Sequence, residues 1–286
     1  MDSGGFFAPE YISAEAYLKR RYEIPNKLPA LPMADEPFAA SWREEEGREV
    51  LDFLSEECEL PVSGFPWENI GALNISFAES LGGRLPAVAT ESHSDFRAME
   101  ALLNGRKKPQ AYPPTVNAFT MQTRAKPIYR HRVLLLNYAP YSNIPAEAMG
   151  IDEADWLTRS HKLRMRHECA HYETLRIFGG MQNYALDEIM ADALGQIAAF
   201  GKFDADRQRV FFGLTKEKDI CTGRLSFYCQ DVAEEERPKV YRAVDRVLDE
   251  VTEELNKLQA QNAGDMELLS ALAGKSIAER LENIGK

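Results

Sequence analysis

The sequence predicts an α+β protein in which a small mixed sheet precedes a helical C-terminal half. Three runs of strand-like composition lie before residue 150, and from Ile151 onward apolar residues recur mostly at helical spacing. The hydrophobic fraction of 44% and the charged fraction of 28% are typical of a folded globular protein. We therefore expect an N-terminal arm and mixed α/β layer over 1–150 and a helical part over 151–286, which can also form one continuous domain.

The N-terminal part is expected to begin with an irregular arm and then to alternate helices with strands. Proline, alanine and aromatic residues without periodicity predict the arm, a one-sided apolar pattern predicts the helices, and β-branched or apolar runs between turn residues predict the strands. The predicted elements are an arm over 1–40, a helix over Trp42–Glu57, a strand over Arg84–Glu91, a helix capped by Ser94 and ended by Gly105, and strands over Thr115–Thr123 and His131–Tyr138.

The C-terminal half contains three predicted helices, and glycines stand where the first two should end. Gly179 and Gly201 occupy the positions at which C-cap glycines are expected. The segment GRLSFYCQDV, Gly223–Val232, has a strand-like composition and is interpreted as a candidate pocket wall between helices. The helices are expected over Asp152–Phe178, Asn183–Phe200 and about Glu236–Leu258.

Charge and cysteine usage exclude several classes of partner and site. The chain has 45 acidic and 34 basic residues and a net charge of −11, so we expect neither nucleic acid nor an anionic membrane as its main partner. None of its four cysteines forms a CxxC pair, which argues against a disulfide framework or a cysteine zinc site. No signal-peptide pattern and no run of about 20 apolar residues is present. The sequence therefore predicts a cytoplasmic protein.

The segment RMRHECAHYETLRIFGG contains an HExxH motif. On an α-helix each residue turns about 100°, so His167 and His171 lie about 40° apart and one turn along the axis. Both imidazoles can then bind one metal ion, whereas Glu168 lies about 100° from His167 and can act on a water beside that ion. This spacing supplies two ligands, a general base and an open coordination position, as metal-assisted hydrolysis requires. Cys169 points away from both imidazoles and is expected in the core.

A third ligand is expected on the next predicted helix, within NYALDEIMADALGQ. Glu188 and Asp192 are four residues apart and therefore share one helix face. Small residues at Ala191 and Gly195 would let this helix approach the HExxH helix closely. Glu188 can then bind the ion, while Asp192 accepts the second N–H of a ligating histidine. The adjacent Asp187 remains an alternative ligand.

These two segments resemble the gluzincin class of zinc metallopeptidases, to which thermolysin belongs. The pattern of that class is HExxH, then a ligand glutamate on the following helix, with an acidic residue four positions later. The resemblance is limited to about residues 164–195, and the gap to the glutamate is somewhat shorter than in the class. It implies a zincin-like fold, Zn²⁺ bound by His167, His171 and Glu188, Glu168 as the general base, and Asp192 orienting a histidine.

Other patterns are weaker or absent. The metzincin continuation fails because Thr174 and Ile177 stand where its glycine and histidine belong. A di-iron bundle would need a second ExxH motif, which the chain lacks. VNAFT, Val116–Thr120, is similar to the Asn-Ala strand that holds the substrate backbone in thermolysin-like enzymes, although it lies farther upstream of the motif.

Hydrolysis of an amide also needs a group that stabilises the oxyanion. Tyr184, four residues before Glu188, is the first candidate, and Tyr228 and His161 are the others. Arg164 lies one turn before His167 and is expected either in a salt bridge to the acidic residues of the second helix or as a clamp on a substrate carboxylate or phosphate.

The sequence thus predicts a zinc-dependent hydrolase, with a peptidase or amidase acting on a peptide or small amide-containing substrate as the first hypothesis. Two further hypotheses stay open. One is a zincin-fold hydrolase or tailoring enzyme whose small-molecule substrate is not a peptide. The other is a scaffold or regulatory protein that keeps a structural metal.

Overall fold

A computed structural model describes residues 11–284 except 114, 183, 216 and 218, so the first ten residues of the expected arm lie outside it. The described residues form a mixed α+β structure with a five-stranded sheet and a helical C-terminal half, as the sequence predicts. They fall into two compact units. The sheet unit comprises Pro25–Met181 and Ala191–Lys202, and the helical unit comprises residues 11–24, Gln182–Met190 and 203–284.

The elements are named in chain order, and short 3₁₀ turns are left out. They are α1 (Ala14–Leu18), β1 (Glu45–Glu46), α2 (Arg48–Glu56), β2 (Asn74–Ala78), β3 (Leu85–Thr90), α3 (His93–Leu103), β4 (Ala118–Gln122), β5 (Arg132–Asn137), α4 (Ala146–Met149), α5 (Glu153–Phe178), α6 (Ala185–Phe200), α7 (Ala205–Phe212), α8 (Leu225–Tyr228), α9 (Arg237–Ala260), α10 (Asp265–Ala273) and α11 (Ile277–Ile284).

The sheet has the strand order β1-β2-β3-β5-β4. Strands β3 and β5 are parallel, and the other neighbouring pairs are antiparallel. The central strands β3 and β5 and the edge strand β4 are the three that the sequence predicts, whereas β1 and β2 are additional. Strand β4 is therefore an edge strand of the sheet, antiparallel to its neighbour β5.

Both faces of the central strands are covered, because successive side chains of β5 alternate between two cores. Val133 and Leu135 belong to the core formed with α2 and α3. Leu134 and Leu136 belong to the opposite core, which includes Cys169 of α5. Cys169 is 2% exposed, which confirms the prediction that it packs in the core. Helix α5 thus lies along one face of the sheet, against β4 and β5.

Three local expectations differ from the structure. Helix α2 is shorter than predicted because Glu45–Glu46 pairs with β2. The N-cap of α3 is Ser92, not Ser94, since the Ser92 hydroxyl accepts the backbone N–H groups of Ser94 and Asp95. The strand-like segment GRLSFY instead contains the single helical turn α8, followed by further turns.

In the helical unit, α9 is the central element and packs against α1, α7, α10 and α11. Its apolar residues follow a helical period, and seven of its nine buried residues are aliphatic. In the described part of the chain, no helix combines the length and the apolar character needed to cross a membrane.

Candidate metal centre

The two histidines of the HExxH motif converge on helix α5. The Nε2 atoms of His167 and His171 lie 3.1 Å apart, and the two side chains are 5% and 8% exposed. Nitrogen ligands about 2.0 to 2.1 Å from a tetrahedral ion are themselves about 3.3 Å apart. The separation in α5 is therefore close to the separation that one bound ion requires.

His167 is oriented by two buried side chains of the sheet unit. Its Nδ1 lies 2.8 Å from Asp192 Oδ1 and 3.0 Å from the hydroxyl of Tyr141. The Tyr141 hydroxyl also donates a 2.5 Å hydrogen bond to the same Asp192 oxygen. Because this carboxylate oxygen accepts from both neighbours, Nδ1 carries the proton of a neutral His167 and Nε2 keeps its lone pair. That lone pair is on the nitrogen that faces His171.

Helix α6 contributes the carboxylate of the cluster. The helix is continuous over Ala185–Phe200, so Glu188 lies one turn before Asp192 on the same helix. One ligand atom each of His167, His171 and Glu188 lies within 4.8 Å of the others, and all three residues are buried. These are the three residues that the sequence predicts as metal ligands.

The close approach of α6 to α5 depends on Gly195. A Cβ atom at this position would lie 2.8 Å from the backbone oxygen of Leu163 and 3.1 Å from its Cδ2 atom. No side chain fits there without displacing the backbone of α5. This agrees with the expectation that small residues in this region bring the two helices together.

Glu168 faces the edge strand of the sheet. Its Oε2 accepts a 2.6 Å hydrogen bond from the Thr120 hydroxyl of β4, and that hydroxyl is also 3.0 Å from the Glu168 carbonyl oxygen. Glu168 is 8% exposed. The carboxylate is thus held at a defined position against the edge strand rather than pointing freely into solvent.

Arg164 fixes the loop that carries Tyr141. Its guanidinium donates to the carbonyl oxygens of Asn137, Ala139 and Pro140, at 3.0, 3.1 and 3.3 Å. It also lies over the Tyr141 ring, 5.6 Å from the centroid. These contacts give Arg164 a role in holding the loop, which the sequence does not predict.

Hydrogen bonds between asparagine side chains also hold the same loop. Asn137 Nδ2 donates to Asn117 Oδ1 at 2.7 Å, and Asn117 Nδ2 donates to Asn143 Oδ1 at 2.9 Å. Ser142 and Asn143 have positive φ angles of 52° and 57°, a left-handed backbone that non-glycine residues seldom adopt. The loop after β5 is therefore bound tightly at the position from which Tyr141 reaches His167.

The remaining sequence candidates make contacts of their own. The carboxylate of Asp187 accepts a short hydrogen bond from the Tyr22 hydroxyl, and Glu188 is the carboxylate that clusters with the two histidines. The ring of His161 lies 5.4 Å from that of Tyr138, and burial, with a smaller effect of the nearby Arg164 charge, lowers the pKa of this imidazole.

Tyr184 packs within the helical unit. Its ring lies 6.2 Å from the ring of Tyr17, and the Arg20 guanidinium carbon lies 5.5 Å from its centroid. The hydroxyl is buried and has no hydrogen-bond partner among the described residues. Burial raises the pKa of Tyr184, with the carboxylate of Asp187 as the second cause. The backbone oxygen of Tyr228, another candidate, accepts a 2.8 Å hydrogen bond from the Tyr17 hydroxyl.

Three residues near the cluster are not among the sequence candidates: Tyr141, Thr120 and Arg224. Arg224 Nη1 lies 3.5 Å from Glu188 Oε2. Thr120 belongs to VNAFT and Arg224 to GRLSFY, the segments that the sequence indicates as a substrate-binding strand and a pocket wall. For Tyr141 the sequence offers only a proline-containing turn after a strand, which is a frequent pattern and does not indicate a site.

The described residues around the cluster fall within one sequence family. The model of a "Family of unknown function (DUF7005)" matches residues 116–280, which is more than half of the chain. The chain belongs to this family. The DUF7005 match begins before β4 and extends past α8, so it includes every residue of the cluster and its neighbours. No curated protein and no solved structure matches the chain.

Proposed function

We propose that the protein is a zinc-dependent metallohydrolase that cleaves a peptide bond or another amide bond. The observation that carries the proposal is the convergence of His167 Nε2 and His171 Nε2 at 3.1 Å, with a Glu188 ligand atom within 4.8 Å of both imidazoles. Two imidazoles and one carboxylate with an adjacent glutamate form a donor set typical of catalytic zinc. A structural zinc site would normally use four protein ligands.

The hydrogen bonding, spacing and burial of these donor atoms fit a zinc ion. His167 has its Nδ1 hydrogen bonded to Asp192, which leaves Nε2 as the ligand nitrogen. The Nε2 separation is close to the value of about 3.3 Å for a tetrahedral ion. All three proposed ligands are buried, and a cation beside Glu188 would offset the cost of burying its negative charge.

The residues of the proposed site have different roles in hydrolysis. Bound Zn²⁺ would supply a Lewis acid that polarises the carbonyl and acidifies the attacking water. Glu168, held by Thr120 at 2.6 Å, accepts the proton of that water and later delivers it to the leaving amine. Asp192 and Tyr141 keep His167 in one tautomer and one orientation.

The zincin-like arrangement belongs to the same proposal. Helix α5 covers one face of a mixed sheet, and the edge strand β4 is antiparallel to its neighbour and contacts the general base. An edge strand has unpaired backbone groups along one side, and an extended peptide can pair with them. This favours a peptide among the amide substrates.

The experiment combines metal analysis with loss of the base. We expect purified protein to contain close to one zinc per chain and Glu188→Ala to lose it. A screen of peptide and small-amide substrates should show turnover that falls by about 10² to 10⁴ in Glu168→Gln while zinc content stays unchanged. Turnover of only non-peptide substrates would favour a tailoring enzyme. Bound zinc with no Glu168-dependent turnover at all would overturn the hydrolase proposal in favour of a structural metal.

A further inference from the structure

The guanidinium of Arg224 lies beside the proposed ligand set. Arg224 Nη1 is 3.5 Å from Glu188 Oε2, and the two side chains are 18% and 4% exposed. Both residues belong to the helical unit, and Arg224 directly precedes α8. A guanidinium therefore lies next to the carboxylate that is proposed to bind the ion, in an environment largely shielded from water.

The backbone that carries Arg224 is held in place by a contact between two glycines. Gly213 ends α7 with φ +70°, and a Cβ atom there would lie 2.3 Å from the backbone nitrogen of Gly223. The backbone N–H of Thr222 donates to the Gly213 carbonyl at 2.9 Å. The Arg224 guanidinium carbon lies 5.5 Å from the centroid of the Phe212 ring. The loop, the helix end and an aromatic ring thus fix the direction of this side chain before any ligand binds.

With Zn²⁺ bound, the charges of the proposed site would favour an anionic oxygen near Arg224. His167 and His171 are neutral ligands, so Glu188 alone offsets the two positive charges of a bound Zn²⁺. Arg224, whose side chain is 18% exposed, then adds a further positive charge where screening by solvent is reduced. A guanidinium has five donors in a planar fork, so it can contact Glu188 and an additional oxygen together.

Tyr184, the first candidate for stabilising an oxyanion, packs its ring against Tyr17 and Arg20, and its hydroxyl is buried. We propose that Arg224 has this role: it donates a hydrogen bond to the substrate oxygen on which negative charge develops during hydrolysis. This inference rests on the proposed function, because the oxygen is the carbonyl oxygen of the bond to be cleaved. Arg224 is then a catalytic residue rather than a passive partner of Glu188.

The test uses inorganic phosphate as a tetrahedral oxyanion probe and needs no substrate. Zinc-loaded full-length protein, freed of unbound zinc, is titrated with phosphate by calorimetry. Zinc affinity is measured separately by competition with a chelator. We expect Arg224→Gln to weaken phosphate binding by about tenfold or more, since charge-assisted hydrogen bonds are roughly twice as strong as neutral ones. Its zinc affinity should stay within about threefold of wild type.

Two further variants keep the test decisive. Arg224→Lys retains the charge but not the planar fork, so its phosphate affinity should lie between those of wild type and Arg224→Gln, even if the glutamine variant folds poorly. Arg242→Gln, which removes an exposed arginine paired with Asp219 in the same unit, is the matched control and should change neither affinity.

The outcomes separate this inference from the function on which it rests. Wild-type protein that binds no zinc overturns the proposed function and the inference with it. Wild-type protein that binds zinc but no phosphate overturns the inference alone. The same holds if Arg224→Gln and Arg224→Lys both bind phosphate as tightly as wild type. A loss of zinc affinity in Arg224→Gln with unchanged phosphate affinity of the loaded protein would make Arg224 a positioning residue for Glu188.

Discussion

Thr120 Oγ1 donates a 2.6 Å hydrogen bond to Glu168 Oε2, which joins the edge strand of the sheet to the glutamate of the HExxH motif. The two residues are 48 positions apart in the chain. The bond leaves one carboxylate oxygen oriented by the sheet, while the helix sets the position of the Cα atom. The sheet therefore takes part in aiming the proposed general base, in addition to covering helix α5.

Thr120→Val tests whether this bond orients Glu168. Valine has nearly the same shape but no hydroxyl, and a hydrogen bond to a charged group is worth about 1.5 to 3 kcal/mol. We expect the rate of Glu168-dependent hydrolysis to fall by about 10-fold to 100-fold, with zinc affinity unchanged. Thr120→Ser keeps the donor and should retain most of the rate. Equal rates for the valine and serine variants would show that the bond does not contribute.

Zinc binding should stabilise the fold, and the two adjacent carboxylates of α6 should differ in this respect. A ligand at a hundred times its dissociation constant stabilises the native state by about 2.7 kcal/mol. Thermal unfolding of chelator-treated protein with and without added zinc should show this shift in wild type and lose it in His171→Ala and Glu188→Ala.

Asp187→Asn is the matched control for Glu188. Asp187 is fully buried and accepts from the Tyr22 hydroxyl, so the variant should lower the unfolding temperature even without metal. The zinc-induced increase should nevertheless persist, because Glu188 is the carboxylate that clusters with the two histidines. A variant that loses the increase would instead identify Asp187 as a ligand.

The sequence predicts the two helices of the proposed ligands well, because helix geometry relates residues that are close together in the chain. His167 and His171 share a face by helix geometry alone, and so do Glu188 and Asp192. The structure agrees with this, and Gly195 allows the close helix approach that the sequence suggests. The observed bounds of α5, α6 and α9, which have strong periodicity, agree with the sequence prediction within a few residues.

The contacts around the ligands were not predictable in the same way because they join distant parts of the chain. Tyr141 reaches His167 across 26 positions and Asp192 across 51, from a loop whose path depends on the carbonyl contacts of Arg164. The segment that precedes α8 has a strand-like composition, but its conformation is set by the contact between Gly213 and Gly223. Tertiary contacts of this kind override local propensity.

Two buried thiols predict a loss of stability in alkaline solution. Burial raises the pKa of Cys58 from 9.0 to about 11 and that of Cys229 from 9.0 to about 12. The unfolded state then releases these protons first as pH rises, so the free energy of unfolding should decrease from about pH 9 upward. Urea unfolding at pH 8, 9 and 10 measures this decrease. It should be smaller in Cys58→Ala and Cys229→Ala than in wild type, whereas an unchanged slope in both variants would assign it to other groups.

Tyr141→Phe should weaken zinc binding while leaving the three ligands intact. The Tyr141 hydroxyl donates to the Asp192 oxygen that also accepts from His167 Nδ1, at 2.5 and 2.8 Å. Without this donor the buried carboxylate has one fewer hydrogen bond, and the imidazole loses part of what fixes its orientation. Removal of such a partner typically costs about 10-fold to 100-fold in metal affinity. Competition with a chelator measures that loss.

The matched variant is Tyr138→Phe, which removes a tyrosine hydroxyl from the same loop. The Tyr138 hydroxyl is exposed and lies 3.4 Å from the Thr158 hydroxyl. The zinc affinity of this variant should equal that of wild type. Nitrogen NMR of the histidines supplies a readout that a loss of packing would not move: in zinc-loaded wild type the proton of His167 resides on Nδ1, and in Tyr141→Phe a second tautomer or orientation should become populated. If zinc affinity and the His167 signals both stay unchanged in Tyr141→Phe, Asp192 alone orients the histidine, and the tyrosine serves only to fill the core beside it.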